Sequence, residues 1–329
     1  SEKELSDESP DVLSFIKGFN NPRLKTHLLT VNAGYLQDHI NDLYEYYDEP
    51  FGDYASLLNW AISVKAKEYV TVAISGDGAD ELFWGYSRYN KWQDMDKLNS
   101  ISFVSSAARA TTRLLPQFSI KNKLKRVFNN DPVQRHFNLF LMPGFREYFS
   151  SFDLTRYPLW SLNNIEKVSG RNDLPGILDI KTYLADGMLY KVDRSSMAAS
   201  LEVRVPYLDN QVLEYALAIG LDKKSNSRYQ NKAILKELLV SLAPHYNAER
   251  PKKGFSFPLK KWLKEPWANL VRDSINRNAL IELGLEPKFF LSLVNDFYEK
   301  GTDSEVEVWY LFNLILWKNN FNNLSSKLK

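Results

Sequence analysis

The 329-residue chain contains no cysteine, which excludes disulfides, thiolate zinc sites and a cysteine nucleophile from its own chemistry. Long hydrophobic runs are missing too. The longest strongly apolar stretch, Val308 to Trp317, spans ten residues; it is too short to cross a bilayer and reads as a buried helix. Nor is there an excess of one charge. With 42 basic and 40 acidic residues and a net charge of +2, no global field draws the chain to nucleic acid or to a membrane. The first residues, SEKELSDESP, are charged and lack an apolar h-region, so no signal peptide is expected there and the cytoplasm is the default location. No internal repeat is visible. What remains is a globular composition, 44% hydrophobic and 25% charged, with ample material for a core.

The densest chemistry lies in Val70 to Tyr86, VTVAISGDGADELFWGY. Val70, Val72 and Ile74 form a β-branched apolar run that ends at Ser75-Gly76-Asp77-Gly78, the pattern of a buried strand entering a tight loop. Asp80 and Glu81 then fall in the first turn of an expected helix, where carboxylates are favoured. The loop is neither GxxxxGK[ST] nor GxGxxG, so generic nucleotide motifs do not apply. Its glycines allow close backbone approach, and a helix start there could hold an anion such as phosphate. An ordinary strand-to-helix turn has the same letters. The spacing of Asp77, Asp80 and Glu81 is i, i+3, i+4, which could gather them around a hard cation such as Mg²⁺. Acids that only complement a helix dipole would look alike.

Along the chain, Asp7 to Phe19 reads as a short helix with Ser9 as its cap and Pro10 in its first turn. Lys25 to Val31 is a second candidate parallel strand, with His27 in it as an incidental residue. Gly34 to Tyr47 predicts a helix with Leu36, Ile40, Leu43, Tyr44 and Tyr47 on one face. The loop Asp48 to Asp53 follows, in which Asp53 either caps the next helix or meets a ligand. Leu57 to Tyr69 reads as that helix. From Lys91 to Gly170 the helical signal is broken by prolines. The basic run Lys121 to Arg126 there is amphipathic and has no interleaved aromatics, which favours a solvated face over a nucleic-acid patch. Ile177 to Ile219 reads as mainly helical, with Asp193, Arg194, Glu202 and Arg204 as a partly buried ion-pair network. Tyr229 to Leu242 and most of the chain beyond Pro258 read as helix, with Trp262, Trp267, Trp309 and Trp317 as packing residues.

The run SGDGADELFWGY closely resembles the signature of the asparagine synthetase family, usually near SGDGGDELFGGY, with Ala79 and Trp84 as departures. Tyr190 to Asp209, YKVDRSSMAASLEVRVPYLD, and Arg250 to Pro258, RPKKGFSFP, match the same family in the same order, and YDEPFGD from Tyr47 to Asp53 fits as well. The resemblance implies an α/β fold: a doubly wound parallel sheet of ATP pyrophosphatase type with a large helical C-terminal part. The chain would then be one domain, with residues 1–95 as its nucleotide-binding part and residues 96–329 as a mainly helical part carrying the RPKKGF loop.

The resemblance also implies ATP and Mg²⁺ as cofactors and a small carboxylate, aspartate first, as substrate, activated as an acyl adenylate for attack by ammonia. By motif position Asp80 matches the family's magnesium-binding aspartate, and Asp77 falls beside the reacting centre. Lys252 matches the lysine that contacts the intermediate and the α-phosphate, a role suited to a compact charge on a long stem. Ser75, Gly76 and Gly78 would wall the nucleotide, with Glu81 and Arg194 as further contacts. Glutamine-dependent members carry an N-terminal glutaminase with a catalytic cysteine, so without cysteine only the synthetase part is expected here, with a glutaminase domain or subunit as a possible partner.

One family element is not found. The pyrophosphate loop SGGxDSS occurs nowhere in these 329 residues. The resemblance therefore implies a dependence, in which another segment or chain carrying SGGxDSS completes the sheet and the site. Three rivals stand beside this reading: β-lactam synthetase- or lasso-cyclase-like enzymes acting on another carboxylate, a non-catalytic binding or assembly subunit that kept the fold, and a nucleic-acid-modifying enzyme, which salt-dependent RNA binding would mark.

Overall fold

A computed structural model of the chain describes residues 9–19, 21–101, 103, 105–106, 110, 124, 127–139, 165–168, 170–249 and 257–327. The elements that matter here are α1 (Ser9–Gly18), α2 (Ala33–Tyr44), α3 (Ala55–Lys67), β1 (Val72–Ile74), α4 (Ala79–Leu82), α5 (Ser87–Ser100), α6 (Pro132–Phe137) and α7 (Leu174–Asp179). A π-helical stretch, Ile180–Leu189, follows α7, and then come α8 (Tyr190–Met197), β2 (Glu202–Arg204), α9 (Asn210–Ala218), α10 (Ala233–Leu242), α11 (Leu259–Lys264), α12 (Ala268–Ser274), α13 (Pro287–Asn295) and α14 (Glu305–Lys327). The chain divides into two compact units, residues 1–74 with 190–204 and 250–329, and residues 75–189 with 205–249. Each unit draws on both sides of the expected 95/96 division.

In the first unit α2 forms where expected. Asn32 caps it by accepting from the Tyr35 amide at 2.8 Å, and the face Leu36, Ile40, Leu43 and Tyr44 is buried, as a 3.6-residue period requires. The apolar run Val308 to Trp317 lies within α14 and buries Val308, Trp309, Leu311, Phe312 and Ile315. Among the described residues no helix is long and apolar enough to cross a membrane. Three of the expected packing tryptophans also tie down backbone carbonyls: Trp267 Nε1 donates to Ala33 O at 2.9 Å, Trp309 Nε1 to Gly52 O at 2.7 Å, and Trp317 Nε1 to Tyr47 O at 3.0 Å. A buried indole keeps its N–H satisfied this way, and the loop after α2 gains fixed points.

The sheet differs from expectation. Among the described residues it has two parallel strands, with Val72 opposite Glu202, Ala73 opposite Val203 and Ile74 opposite Arg204. The chain is thus α/β and mostly helical with a small parallel sheet. The wider doubly wound sheet is not among the described residues. Lys25 to Val31 is irregular rather than a strand; among the described residues no ladder partner holds it, Leu28 is exposed, and the His27 ring instead packs on Tyr69 at 3.9 Å. The central run is not a buried strand either: Val72 is 38% and Ile74 76% exposed. β2 interrupts a segment expected to be helical, since the alternation Glu-Val-Arg suits a ladder once β1 offers one.

Two of the apolar clusters in the second unit position the elements around the glycine loop. Leu82, Phe83 and Ala216 meet Tyr207, Leu208, Ile234 and Leu235, while Trp92, Leu174 and Leu178 meet Val133 and Leu139. Together they fix α4 against α9 and α10, and α5 against α6 and α7.

Candidate active site

The glycine loop after β1 turns as the sequence suggests, by two devices. Ser75 Oγ donates to Asp77 Oδ2 at 2.6 Å. Gly78 sits at φ 85°, where an added Cβ would come 2.7 Å from Leu208 Cδ2, so both backbone and space demand glycine. α4 then runs for four residues. One turn sums few peptide dipoles, and the phosphate-binding helix start expected from sequence has no long helix behind it.

The three acids part company. Asp77 stays in the loop with Ser75. Asp80 is half-buried and pairs with Lys232, Oδ1 to Nζ at 3.0 Å. Glu81 turns into the core, 3% exposed, and accepts from the Tyr86 hydroxyl at 2.8 Å. Burial raises the Glu81 pKa above its ordinary 4.5, and the negative charges of Asp80 and Asp179 add to the rise. A single turn directs adjacent residues to different sides, so the spacing does not gather three ligands.

Beneath Glu81 lies a polar network that the sequence did not reveal. Asp179, fully buried at the end of α7, accepts from Arg88 Nη2 at 2.5 Å and from the Tyr89 hydroxyl at 2.6 Å. His136 Nε2 lies 2.7 Å from its other oxygen. The Arg88 guanidinium also covers the Tyr86 ring, 3.6 Å from its centroid. Burial pushes the Tyr86 and Tyr89 hydroxyls well above their ordinary range, and the neighbouring carboxylates reinforce this. A buried carboxylate with a guanidinium and further hydrogen-bonding groups is satisfied rather than isolated. Its effect is to fix α5, α6 and α7 around the turn that carries Asp80 and Glu81.

Trp84, one of the two departures from the family signature, occupies backbone at φ 62°, a region where glycine is at ease. The tryptophan is nonetheless held: it is 1% exposed, its Nε1 donates to Asn90 Oδ1 at 2.8 Å, and its ring lies 4.8 Å from that of Tyr89. Gly85, next in the chain, is a close-approach glycine. A Cβ there would overlap the Asp80 carboxylate and come 2.5 Å from Lys232 Cε.

Of the other expected site residues, Lys252 and the rest of RPKKGFS lie outside the described residues, as does the basic run except Leu124. Phe257 just beyond is buried and stacks on Trp262 at 4.4 Å. Arg194 is on α8 in the first unit. It pairs with Asp48 at 3.2 Å and lies over the Tyr190 ring at 5.3 Å. The Tyr190 hydroxyl donates to Asp48 at 2.5 Å; this bond first, and the Arg194 charge with it, holds the Asp48 carboxyl below its usual range. The partly buried network expected from Asp193, Arg194, Glu202 and Arg204 does not form: Arg204 pairs with Glu202 and Arg194 with Asp193 and Asp48, all at the surface. The buried cation of α8 is Lys191, which donates to Asp53 Oδ2 at 2.9 Å. Asp53 also accepts from the Ala55 amide at 2.9 Å, so it does serve the start of α3.

The donor set bears on what cation could be held. Among the described residues no group of three or more His, Asp or Glu side chains could hold a metal by itself. Mg²⁺ does not need one: it keeps most of its water and is commonly bound by one or two carboxylates together with substrate phosphates. Asp80, part-exposed beside a glycine loop, fits that mode, whereas Glu81 in the core does not.

A family-wide sequence profile described as asparagine synthase matches residues 5–319. "Asparagine synthetase [glutamine-hydrolyzing] 1" of Bacillus subtilis strain 168 is 27% identical over 293 residues, covering 85% of this chain and 46% of that protein. "Asparagine synthetase [glutamine-hydrolyzing] 3" of the same organism is 25% identical over 268 residues, covering 79% of this chain and 39% of its own length. The chain thus spans less than half the length of these relatives. With the profile extending over nearly all of its residues and the glycine loop, Asp80 and the αL turn at position 84 lying within the match, the chain belongs to the asparagine synthase family.

Proposed function

We propose that this chain is the synthetase part of an ATP- and Mg²⁺-dependent amide-forming ligase whose substrate is a small carboxylate, by family preference the side chain of aspartate, and whose amine is ammonia. The observation that carries the reading is the Asp80 carboxylate, part-exposed at the end of a glycine loop, with a lysine 3.0 Å away. In the reaction a substrate carboxylate oxygen attacks the α-phosphorus of ATP, the bond to the β-phosphate breaks and pyrophosphate leaves. Ammonia nitrogen then attacks the acyl carbon, the carbon–oxygen bond to AMP breaks, AMP departs with the electron pair, and the nitrogen sheds a proton.

Each residue has a stated part in this proposal. Asp80 would hold Mg²⁺, which supplies charge neutralisation at the phosphate oxygens. Ser75, Gly76 and Gly78 would lie along the nucleotide, with Asp77 near the reacting carbonyl. Lys252 would offset charge at the α-phosphate and acyl oxygen during both displacements. Glu81, from its buried position, acts through the turn rather than on the ligand. Arg194 serves as a phosphate contact only if it leaves Asp48.

A segment carrying SGGxDSS, on this polypeptide or another, is part of the proposal, and the exposed flank of β1 supports it. Parallel sheets are covered on both faces, and Val72 and Ile74 stand open to solvent. A glutaminase domain or subunit is a further proposed partner, consistent with the glutamine-hydrolysing relatives.

The test is release of pyrophosphate and formation of amide by the native assembly that contains this chain, supplied with aspartate, ammonium and MgATP. Asp80→Asn should lower pyrophosphate release by at least about a hundredfold if it removes a ligand of the transition-state cation. An assembly that contains SGGxDSS and releases no pyrophosphate with any small carboxylate would favour the binding-subunit reading.

A further inference from the structure

A polar cavity in the second unit has no part in the proposed reaction. It measures about 330 Å³ and opens between α5, α6 and the turn that leads into α7. Arg135, on α6, is buried in its wall. The guanidinium donates to Asn129 O at 2.6 Å, pairs with Asp96 and lies 5.7 Å from the centre of the Trp92 ring. Asn99, on α5, turns its Nδ2 to two carbonyls, Met95 O at 2.7 Å and Val127 O at 2.6 Å. Two carbonyl acceptors on one side settle which way this amide points. Arg171, in the turn before α7, donates to both oxygens of Asp173, at 2.7 and 2.9 Å.

Two atoms of the lining residues stay unmatched. Arg135 Nε and Asn99 Oδ1 are buried and have no hydrogen-bond partner among the described residues. A buried polar atom left in this way costs about 1–3 kcal/mol, and here one is a donor and the other an acceptor. Burial lowers the Arg135 pKa, and the charges of Asp96 and Asp131 do not restore it, so the guanidinium is short of negative partners. The rest of the wall includes the half-exposed Asp96 carboxylate and the exposed Arg171 and Asn172. Charges of both signs beside amide groups suit neither an apolar ligand nor a polyanion. The volume stands at the small end of ligand sites, which run from about 300 to 1,000 Å³, and matches a single amino acid better than a nucleotide.

We infer that this cavity binds a free α-amino acid whose side chain ends in a primary carboxamide. The α-carboxylate would accept from Arg135 Nε and Arg171, and the α-ammonium would donate to Asp96. The carboxamide would donate to Asn99 Oδ1, where a side-chain carboxylate would set acceptor against acceptor. Neighbouring atoms screen the two unmatched groups, so a small side-chain shift accompanies binding, as is common where the backbone is already in place. The helices that frame the cavity also carry Arg88, Tyr89, His136 and Asp179. An occupant would therefore brace the frame that supports the turn of Asp80 and Glu81. The inference stands whether or not Asp80 holds a cation.

The experiment is equilibrium dialysis of labelled L-asparagine, and separately of L-glutamine, against the native assembly containing the full chain. At least one of the two should bind with a Kd below about 1 mM. Analogues of that amino acid without the α-ammonium or without the α-carboxylate should compete about tenfold or more weakly, the loss of one charge-assisted hydrogen bond. L-Aspartate and L-glutamate should also compete more weakly. Gly170 lines the cavity, and a Cβ there would meet nothing within 4 Å, so Gly170→Leu fills space without a clash. It should weaken binding at least about tenfold while melting within a few degrees of wild type, and the ligand should raise the Tm of wild type but not of the variant. Asp80→Asn should leave this binding unchanged. If Asp80→Asn abolishes the binding and Gly170→Leu does not, the ligand sits at the glycine loop and the inference falls. It falls equally if neither amide binds wild type, or if the acids bind as tightly as the amides.

Discussion

Trp84 donates its indole N–H to Asn90 Oδ1 at 2.8 Å from a backbone held at φ 62°, so one residue carries both a conformational cost and a packing gain. A non-glycine residue in the left-handed region costs about 1–2 kcal/mol, whereas removing a buried tryptophan costs about 3–5 kcal/mol. Packing wins. Trp84→Gly, the residue usual in the family signature, should therefore destabilise this chain by about 1–4 kcal/mol despite relieving the backbone, read as a lower urea midpoint. A neutral or stabilising result would mean that the indole is poorly packed against Tyr89.

Glu81 gives a pH dependence with a definite sign. Its pKa is raised by burial above its ordinary 4.5, so between that value and the raised one the folded state holds more protons than the unfolded state. Stability then falls as pH increases through this window and levels off above it. Glu81→Gln keeps the shape and cannot ionise. Wild type should match the variant near pH 4 and lose ground to it as pH rises toward 8, in paired denaturation curves. Parallel curves would show that Glu81 titrates in the folded state as it does in the unfolded one, so that its burial is fully offset.

Asp179 is the centre of the unit that carries the site. Arg88, Tyr89 and His136 all converge on it in a fully buried place, and breaking a buried ion pair from one side leaves an uncompensated charge worth about 3–5 kcal/mol. Asp179→Asn should lower stability by that order. Arg88→Met in the same background should then cost much less than it does in wild type, the non-additivity expected of residues in one network. Additive losses would show that the two side chains are not coupled.

The parts of this architecture that were legible are those with local causes. The buried face of α2 follows from periodicity alone, the turn at Gly78 from two glycines after a β-branched run, and the burial of Trp309 from its place in the apolar run of α14. What escaped depends on partners distant in sequence. Lys232 looks like any lysine opening a helix until Phe83 and Asp80 are brought beside it. Asp179 and His136 are a helix-end acid and a lone histidine, without spacing that points to either. Glu81 shares a motif with Asp80, but one turn of helix sends the two side chains to different sides. The three residues of β2 form a strand only because β1 offers them a ladder, and the apolar letters of β1 say nothing about what covers them.

The exposed flank of β1 leads to the last prediction. Val72 and Ile74 share one face of the strand by the two-residue repeat, and Ile74 is 76% exposed, while β1 pairs with β2 alone among the described residues. If a further segment covers this face in the native assembly, Ile74 is a core residue there. Covering an isoleucine side chain gains about 1.5–3 kcal/mol, and a lysine in its place would forfeit that and bury an unpaired charge as well. Ile74→Lys should then destabilise the assembly by at least about 2 kcal/mol, or weaken association at least about thirtyfold if the segment is a separate chain. In the 329-residue chain by itself the same change should reduce self-association in sedimentation experiments, since an exposed apolar patch is a site of association. Should the assembly tolerate Ile74→Lys within about 0.5 kcal/mol, as an ordinary surface position does, the face is open in the native protein and no further segment covers it.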